Sequence, residues 1–171
     1  WTYWLAPVYI VYHNRVFGDQ AWYVTGVLFV LLLNLSLCVL LHELGHALMA
    51  RRFGATTKDI IITPIGGMAR LVGMPKKPLQ EFLISFAGPA VNLVIALLLA
   101  VAILLARGSL VPALRFEGLN QLPVILLWIN LVLFLFNLIP AFPMDGGRML
   151  RSLLARRMSY LRATVIAARL G

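Results

Sequence analysis

The sequence predicts an all-α polytopic membrane protein, a transmembrane helix bundle with a small β-hairpin or sheet inserted after the first complete helix. Of the 171 residues, 61% are hydrophobic and only 12% are charged, whereas soluble domains are usually about 45–50% apolar. Three segments, 21–50, 82–106 and 122–147, are each long enough for a spanning helix, which needs about 20 residues. One such segment could be the buried helix of a soluble domain, but three in succession favour a membrane bundle.

The two ends of the chain indicate a piece of a longer bundle. Residues 1–12 are apolar but too short to span, so they are interpreted as a partial first transmembrane helix. Residues 1–171 are therefore expected to form a single membrane-embedded core that is truncated at both ends. The single cysteine, Cys38, excludes an internal disulfide framework.

The net charge of +9 is concentrated in two connections between the apolar segments. Residues 51–79 carry six basic side chains against one acid, and residues 148–162 carry five and no acid. The positive-inside rule places both loops in the cytoplasm of a multi-pass protein of the cell membrane. Membrane topology accounts for the charge, so nucleic acid is not expected as a partner.

The loop that follows the first complete helix has a pattern of its own. Its segment TTKDIIITPIGGMARLVGMP has short β-branched runs around Gly66 and Gly67, which predict a small hairpin or sheet. An irregular surface loop is the alternative.

The motif HELGH, at residues 42–46, predicts a metal site within the membrane. His42 and His46 are one helical turn apart, so both imidazoles can bind one ion. A zinc ion bound in this way lowers the pKa of water toward about 7, and Glu43 is placed to accept the proton. The alternative is a set of hydrogen bonds between helices, but unliganded His and Glu side chains are costly in lipid.

A catalytic zinc needs a third protein ligand, and three residues come into question. His13 is predicted to lie on the opposite side of the membrane. Cys38 lies one turn before His42, where a helix cannot easily offer a third ligand to the same ion. Its alternative role is that of a small buried apolar residue.

Asp145 is the better candidate for the third ligand. Pro140 and Pro143 break the last apolar segment before it, and Gly146 and Gly147 remove bulk after it. The predicted topology places this carboxylate near the cytoplasmic end, at a depth similar to that of the histidines. A role as a helix N-cap is the alternative for Asp145.

Four motifs resemble those of the site-2 protease family of intramembrane zinc metalloproteases. They occur in the family's order as HELGH at 42–46, PIGGMARL at 64–71, FAGPAVN at 86–92 and NLIPAFPMDGGR at 137–148. The resemblance implies one Zn²⁺ per chain, bound by His42, His46 and Asp145, with Glu43 as the catalytic base. It also implies regulated intramembrane proteolysis, in which peptide bonds in the transmembrane segment of a membrane-tethered substrate protein are hydrolysed.

Two further features fit cleavage of a transmembrane substrate. Asn92, which follows the break at Gly88 and Pro89, is a candidate catalytic residue that donates to the developing oxyanion; an interhelical hydrogen bond is the alternative. The segment Ile60–Leu71 is a candidate strand edge that holds substrate extended. Partners are the substrate, the lipid bilayer, and regulatory or accessory membrane proteins. Alternative functions are a membrane metal transporter and a non-catalytic membrane scaffold.

Overall fold

The computed structural model describes residues 12, 20–63, 66–72, 77–108 and 122–170, and these parts are mostly helical. Most of the segment 1–12, and His13, lie outside the described residues. The elements in chain order are α1 (Gln20–Arg52), β1 (Thr56–Thr63), β2 (Gly66–Val72), α2 (Pro78–Arg107), α3 (Leu122–Asn137), α4 (Asp145–Leu154) and α5 (Tyr160–Arg169).

The first helix, α1, ends in a turn that directs the chain into the first strand. The Ala55 amide donates to the Ala50 carbonyl at 3.0 Å, and the Gly54 amide donates to the Arg51 carbonyl at 3.1 Å. This is the Schellman arrangement, which needs a left-handed residue, and Gly54 has φ +82°. Glycine is favoured there because it has no Cβ to resist that conformation.

The two strands form an antiparallel pair with a defined register. Ile60 lies opposite Ala69, Ile61 opposite Met68 and Ile62 opposite Gly67, with an irregularity between Thr57 and Asp59. Both strands pack against α1. The hairpin therefore lies beside the helix that carries the HELGH motif.

Helix α2 is the central element of the described fold, because it packs against α1, α3 and α4. It begins at Pro78, four residues before the predicted start of this segment at 82. A proline is well tolerated in the first turn, where its missing N–H has no intrahelical partner. Pro89, inside the helix, removes one backbone hydrogen bond.

The predicted segment 122–147 is two helices rather than one. Helix α3 ends at Asn137, and α4 begins at Asp145. Pro140 and Pro143 lie between them and cannot continue a helical ladder. The single helix predicted over 122–147 is therefore wrong: the apolar helix α3 is separate from α4, which carries the Asp145 carboxylate.

Polar side chains are buried between the helices, while apolar side chains face outward. Ser85, Asn92, Asn130 and Ser152 are fully buried. An outward row along α1 consists of Leu33, Leu37, Leu40, Leu44 and Leu48, each 37–59% exposed. Two helical segments, Gly26–Arg52 and Pro78–Ala106, are long and apolar enough to cross a membrane, with mean hydropathies of 2.3 and 2.7. Helix α3 is apolar but shorter.

A buried ion pair connects α2 to α4. The Arg151 Nε donates to Glu81 Oε1 at 3.0 Å, and its Nη2 bonds the same oxygen. The guanidinium also lies 5.4 Å from the Phe142 ring centroid and 5.0 Å from that of Tyr160. Burial, followed by the charge of Glu81, raises the pKa of Tyr160. The phenol therefore stays protonated and can donate to Glu81, whose Oε1 is 3.4 Å away.

We expect either Arg151→Met or Glu81→Gln to lower the free energy of unfolding by about 3–5 kcal/mol, because each leaves a buried polar partner unsatisfied. The double variant should lose less than the sum of the two. Denaturant unfolding in mild detergent measures all three. Arg156→Met, at an exposed position, is the control and should change stability by no more than about 0.5 kcal/mol. Additive losses would show that the pair is not coupled.

Candidate metal centre

Two histidine rings of α1 form one side of the centre. His42 and His46 are both buried, with 6% and 4% of their surface exposed. Their ring centroids are 4.7 Å apart, with an angle of 83° between the planes, and their Nε2 atoms are 3.1 Å apart. The one-turn spacing thus directs both ring nitrogens to the same point, as the sequence predicts.

Asp145 completes the group from a different helix. Its Oδ2 lies 3.1 Å from His42 Nε2 and 3.0 Å from His46 Nε2. Met144, not Asp145, is the N-cap residue of α4, so the predicted alternative of an N-cap role does not apply. The carboxylate lies in the first turn of this helix, where the partial positive charge of the backbone stabilises an anion.

The Nδ1 atoms of the two imidazoles also have hydrogen-bonding neighbours on α2. His46 Nδ1–H donates to the Ile84 carbonyl at 2.7 Å, which leaves a lone pair on Nε2. His42 Nδ1 lies 3.1 Å from Nδ2 of the Asn92 side-chain amide. Second partners of this kind fix the tautomer and the ring orientation of metal-binding histidines.

Glycines bring the backbone of α2 close to both rings. A Cβ placed on Gly88 would collide with Nε2 of His46 and would lie 2.7 Å from Nε2 of His42. One placed on Gly45 would lie 2.8 Å from the Ala87 carbonyl oxygen of α2. The two helices can approach this closely only because both positions lack a side chain.

These residues fit a metal ion. Two imidazole nitrogens and one carboxylate oxygen are a ligand set typical of catalytic zinc, with bonds of about 2.0–2.2 Å. In a tetrahedral site such bonds separate neighbouring ligand atoms by roughly 3.3 Å, close to the 3.0–3.1 Å observed. The space beside Gly88 is the part of the site that a Cβ would fill.

The other candidate residues named from the sequence lie on α1 and α2. Glu43 is 8% exposed and follows His42 on α1. Asn92 is fully buried, and its role as an oxyanion donor stays a prediction. Cys38 is buried and accepts a hydrogen bond from Asn130 Nδ2 at 3.2 Å.

Three parts of the centre were not predicted from the sequence. Gly88 was noted only as part of a helix break, although a glycine followed by proline within an apolar helix could have suggested a close approach of two backbones. The Ile84 carbonyl has no signal in the sequence, because every residue carries one. The structure has the interhelical hydrogen bond that was the alternative for Asn92, but its partner, His42, was not predicted, because it depends on how α1 and α2 pack.

Sequence comparison assigns the chain to a family. The profile described as Peptidase family M50 matches residues 30–117 and 112–171, which is most of the chain. The chain belongs to peptidase family M50. The predicted resemblance to site-2 proteases is thereby confirmed.

Individual members of the M50 family are similar over most of this chain. "Zinc metalloprotease MJ0392" of Methanocaldococcus jannaschii is 41% identical over 149 residues, which are 85% of this chain and 40% of that protein. "Stage IV sporulation protein FB" of Bacillus subtilis is 32% identical over 77% of this chain and 43% of that protein. The chain thus spans about two fifths of these two relatives.

A solved M50 structure has the same fold. The "Site-2 Protease from Methanocaldococcus jannaschii" matches with a TM-score of 0.65 and 37% identity, covering 99% of this chain and 72% of that one. The matched part includes the helices that carry the candidate ligands.

Gly88→Ala should weaken zinc binding by about 10–100-fold, the range typical of changes around metal ligands, because the new methyl group displaces both imidazoles. Competition titration of the purified chain against a chelator measures this affinity. Gly26→Ala is the matched control, since Gly26 also lies in a helix but has open space around it. Equal zinc affinity of the two variants would show that zinc binding does not depend on the missing side chain at Gly88.

Proposed function

We propose that this chain is the core of an intramembrane zinc endopeptidase that hydrolyses peptide bonds in transmembrane segments of membrane-tethered proteins. The observation that carries the proposal is the convergence of His42 Nε2, His46 Nε2 and Asp145 Oδ2 within 3.0–3.1 Å of one another. Membership of the M50 family and a relative named as a zinc metalloprotease support it. The chain spans only part of its relatives, so the activity of the whole protein is part of the proposal.

Different residues of the chain have different roles in hydrolysis. His42, His46 and Asp145 would hold the zinc, and the bound ion would supply a Lewis acid that makes water more acidic and polarises a carbonyl. Glu43 accepts a proton from the attacking water and delivers it to the leaving amine. Glu43 is 8% exposed, so bulk water is largely excluded from the groups between which this proton is transferred.

The distribution of side chains favours a membrane setting for this chemistry. Apolar residues face outward along α1 and α2, while the polar residues around the histidines face inward. We assign the basic loops 51–79 and 148–162 to the cytoplasmic side of the cell membrane, following the positive-inside rule. The metal centre then lies near that side, where water can reach it, within a single multi-pass core comprising 1–171.

Strand addition is the proposed way of presenting substrate. A transmembrane substrate hides its carbonyl groups in helical hydrogen bonds, so it must be extended before hydrolysis. The hairpin packs against α1, the helix that carries two metal ligands. The edge of a two-stranded sheet offers unpaired backbone groups to an extended segment. Each new bond compensates for a lost helical bond with a net value of about 0.5–1.5 kcal/mol.

The M50 assignment favours proteolysis over the alternative functions. A metal transporter should have ligands distributed along a path, whereas these three converge on one point. A non-catalytic scaffold has no need of a Glu beside the first ligand. The intact His-Glu-x-x-His sequence supports catalysis.

Two substitutions separate metal binding from catalysis. Glu43→Gln should retain the fold and the zinc but lose about 10²–10⁴-fold in cleavage rate, because an amide cannot accept the proton. Asp145→Ala should lose both zinc affinity and cleavage. The measurements are metal content, chelator competition, and cleavage of a tagged single-span membrane protein reconstituted in the same liposomes.

Arg156→Met, at an exposed position outside the ligand set, serves as the activity control in this series. Near-native cleavage by the Glu43 variant would remove Glu43 from the mechanism. Unchanged zinc affinity of the Asp145 variant would remove Asp145 from the ligand set. A native chain that binds no zinc would contradict the proposed function as a whole.

Proline substitutions in β1 test strand addition. In an antiparallel pair, backbone groups of successive residues point alternately to the partner strand and away from it. One of Ile61→Pro and Ile62→Pro therefore removes an outward N–H and should slow cleavage while zinc affinity stays native. The other removes a bond within the hairpin and should also destabilise it. If both variants bind zinc and cleave at the native rate, substrate is extended by a different element.

A further inference from the structure

Asn92 has an unusual environment for a buried amide. The residue is fully buried, its Nδ2 lies 3.1 Å from His42 Nδ1, and its Oδ1 is buried without a hydrogen-bond donor. An unsatisfied buried acceptor typically costs about 1–3 kcal/mol. Such a group in a native protein needs an explanation.

The tautomer of His42 must differ between its metal-free and its metal-bound forms. With a proton on Nε2, His42 can donate to Asp145 Oδ2 at 3.1 Å, and Nδ1 accepts from the Asn92 amide. A metal at Nε2 needs the lone pair of that nitrogen, so the proton must be on Nδ1. Nδ1–H then faces the Nδ2 donor of Asn92 and has no acceptor.

A half-turn of the Asn92 side-chain amide satisfies both groups. The turn exchanges the positions of Oδ1 and Nδ2 with almost no change in shape. It places the unsatisfied Oδ1 where the new Nδ1–H of His42 needs an acceptor. The arrangement then matches that of His46, whose Nδ1–H donates to the Ile84 carbonyl at 2.7 Å.

We propose that Asn92 is a positioning residue for the metal site, which accepts the Nδ1–H of His42 and so holds that imidazole in its metal-binding tautomer. The inference rests on the proposed zinc site and deepens it. Asn92 then acts through its oxygen, on a ligand, and not through its N–H groups on the reacting carbonyl. Asn92 and the Ile84 carbonyl together make α2 the element that orients both histidines.

Two substitutions at the same position test the acceptor role. Asn92→Leu has nearly the same size but no acceptor, and zinc affinity should fall about 10–100-fold. Asn92→Asp retains an acceptor oxygen and should bind zinc within about threefold of the native chain. The affinities are measured on the purified full chain by chelator competition, with zinc as the only added metal and without an activity readout.

Asn130→Leu is the matched structural control. Asn130 is also fully buried, donates to Cys38 and the Leu126 carbonyl, and has an Oδ1 without a donor. Its loss should lower stability but leave zinc affinity native. If Asn130→Leu and Asn92→Leu weaken zinc binding equally, the effect is general loosening of the helices and the proposal is wrong.

Nitrogen-15 NMR of the imidazoles provides a direct readout of the tautomer. The chain has only three histidines, so the signals can be assigned by substitution. The zinc-loaded native chain should show exchange-protected Nδ1–H groups on His42 and His46. Asn92→Leu should lose the protection at His42 and retain it at His46, which serves as the internal reference.

The outcomes separate this inference from the function on which it rests. A native chain without zinc affinity contradicts the zinc site itself. Native zinc binding with unchanged affinity and unchanged His42 protection in Asn92→Leu overturns only the positioning role. Weakened binding in both Asn92→Leu and Asn92→Asp also overturns it, because an acceptor oxygen would then not be the needed group.

Discussion

The close contact between α1 and α2 is the constraint on which the rest of the site depends. Gly45 on one helix and Gly88 on the other leave no side chain between the two backbones. The histidine rings therefore lie directly against α2, within reach of the Ile84 carbonyl and the Asn92 amide. Small residues permit such approaches in membranes, where van der Waals packing and polar contacts, rather than water exclusion, hold helices together.

Asp145 is positioned by a different contact, because it lies about 100 residues away from the histidines along the chain. Helix α4 starts at this residue and carries Arg151 further along, which reaches Glu81 near the start of α2. The ion pair between Arg151 of α4 and Glu81 of α2 thus positions the helix that carries the carboxylate. Helix α2 therefore contacts both helices that carry the three ligands. The rings of Phe142 and Tyr160 lie against the guanidinium and shield it in part from water, which strengthens the pair.

The sequence could predict those features that depend on local spacing. The histidine pair follows from the helical repeat, and the long apolar segments follow from composition, so α1 and α2 were predicted with errors of at most a few residues. The start of α2 was placed too late because the polar residue Glu81 does not reveal a partner 70 positions away. The break within 122–147 was recognised from its prolines, but a helix starting at Asp145 was considered only in the alternative that made this residue an N-cap.

Under the proposed function, the metal also changes the energetics of the fold. Helices in lipid gain little from hydrophobic association, and the described interface contains three buried polar atoms without partners, on Ser85, Asn92 and Asn130. An ion bound by His42, His46 and Asp145 would join α1 to α4 and would stabilise the native state according to its affinity, by about 4 kcal/mol at 1,000 times the dissociation constant. That gain exceeds the cost of one unsatisfied polar atom, about 1–3 kcal/mol. The same ligands would then serve both catalysis and the assembly of the helices around the site.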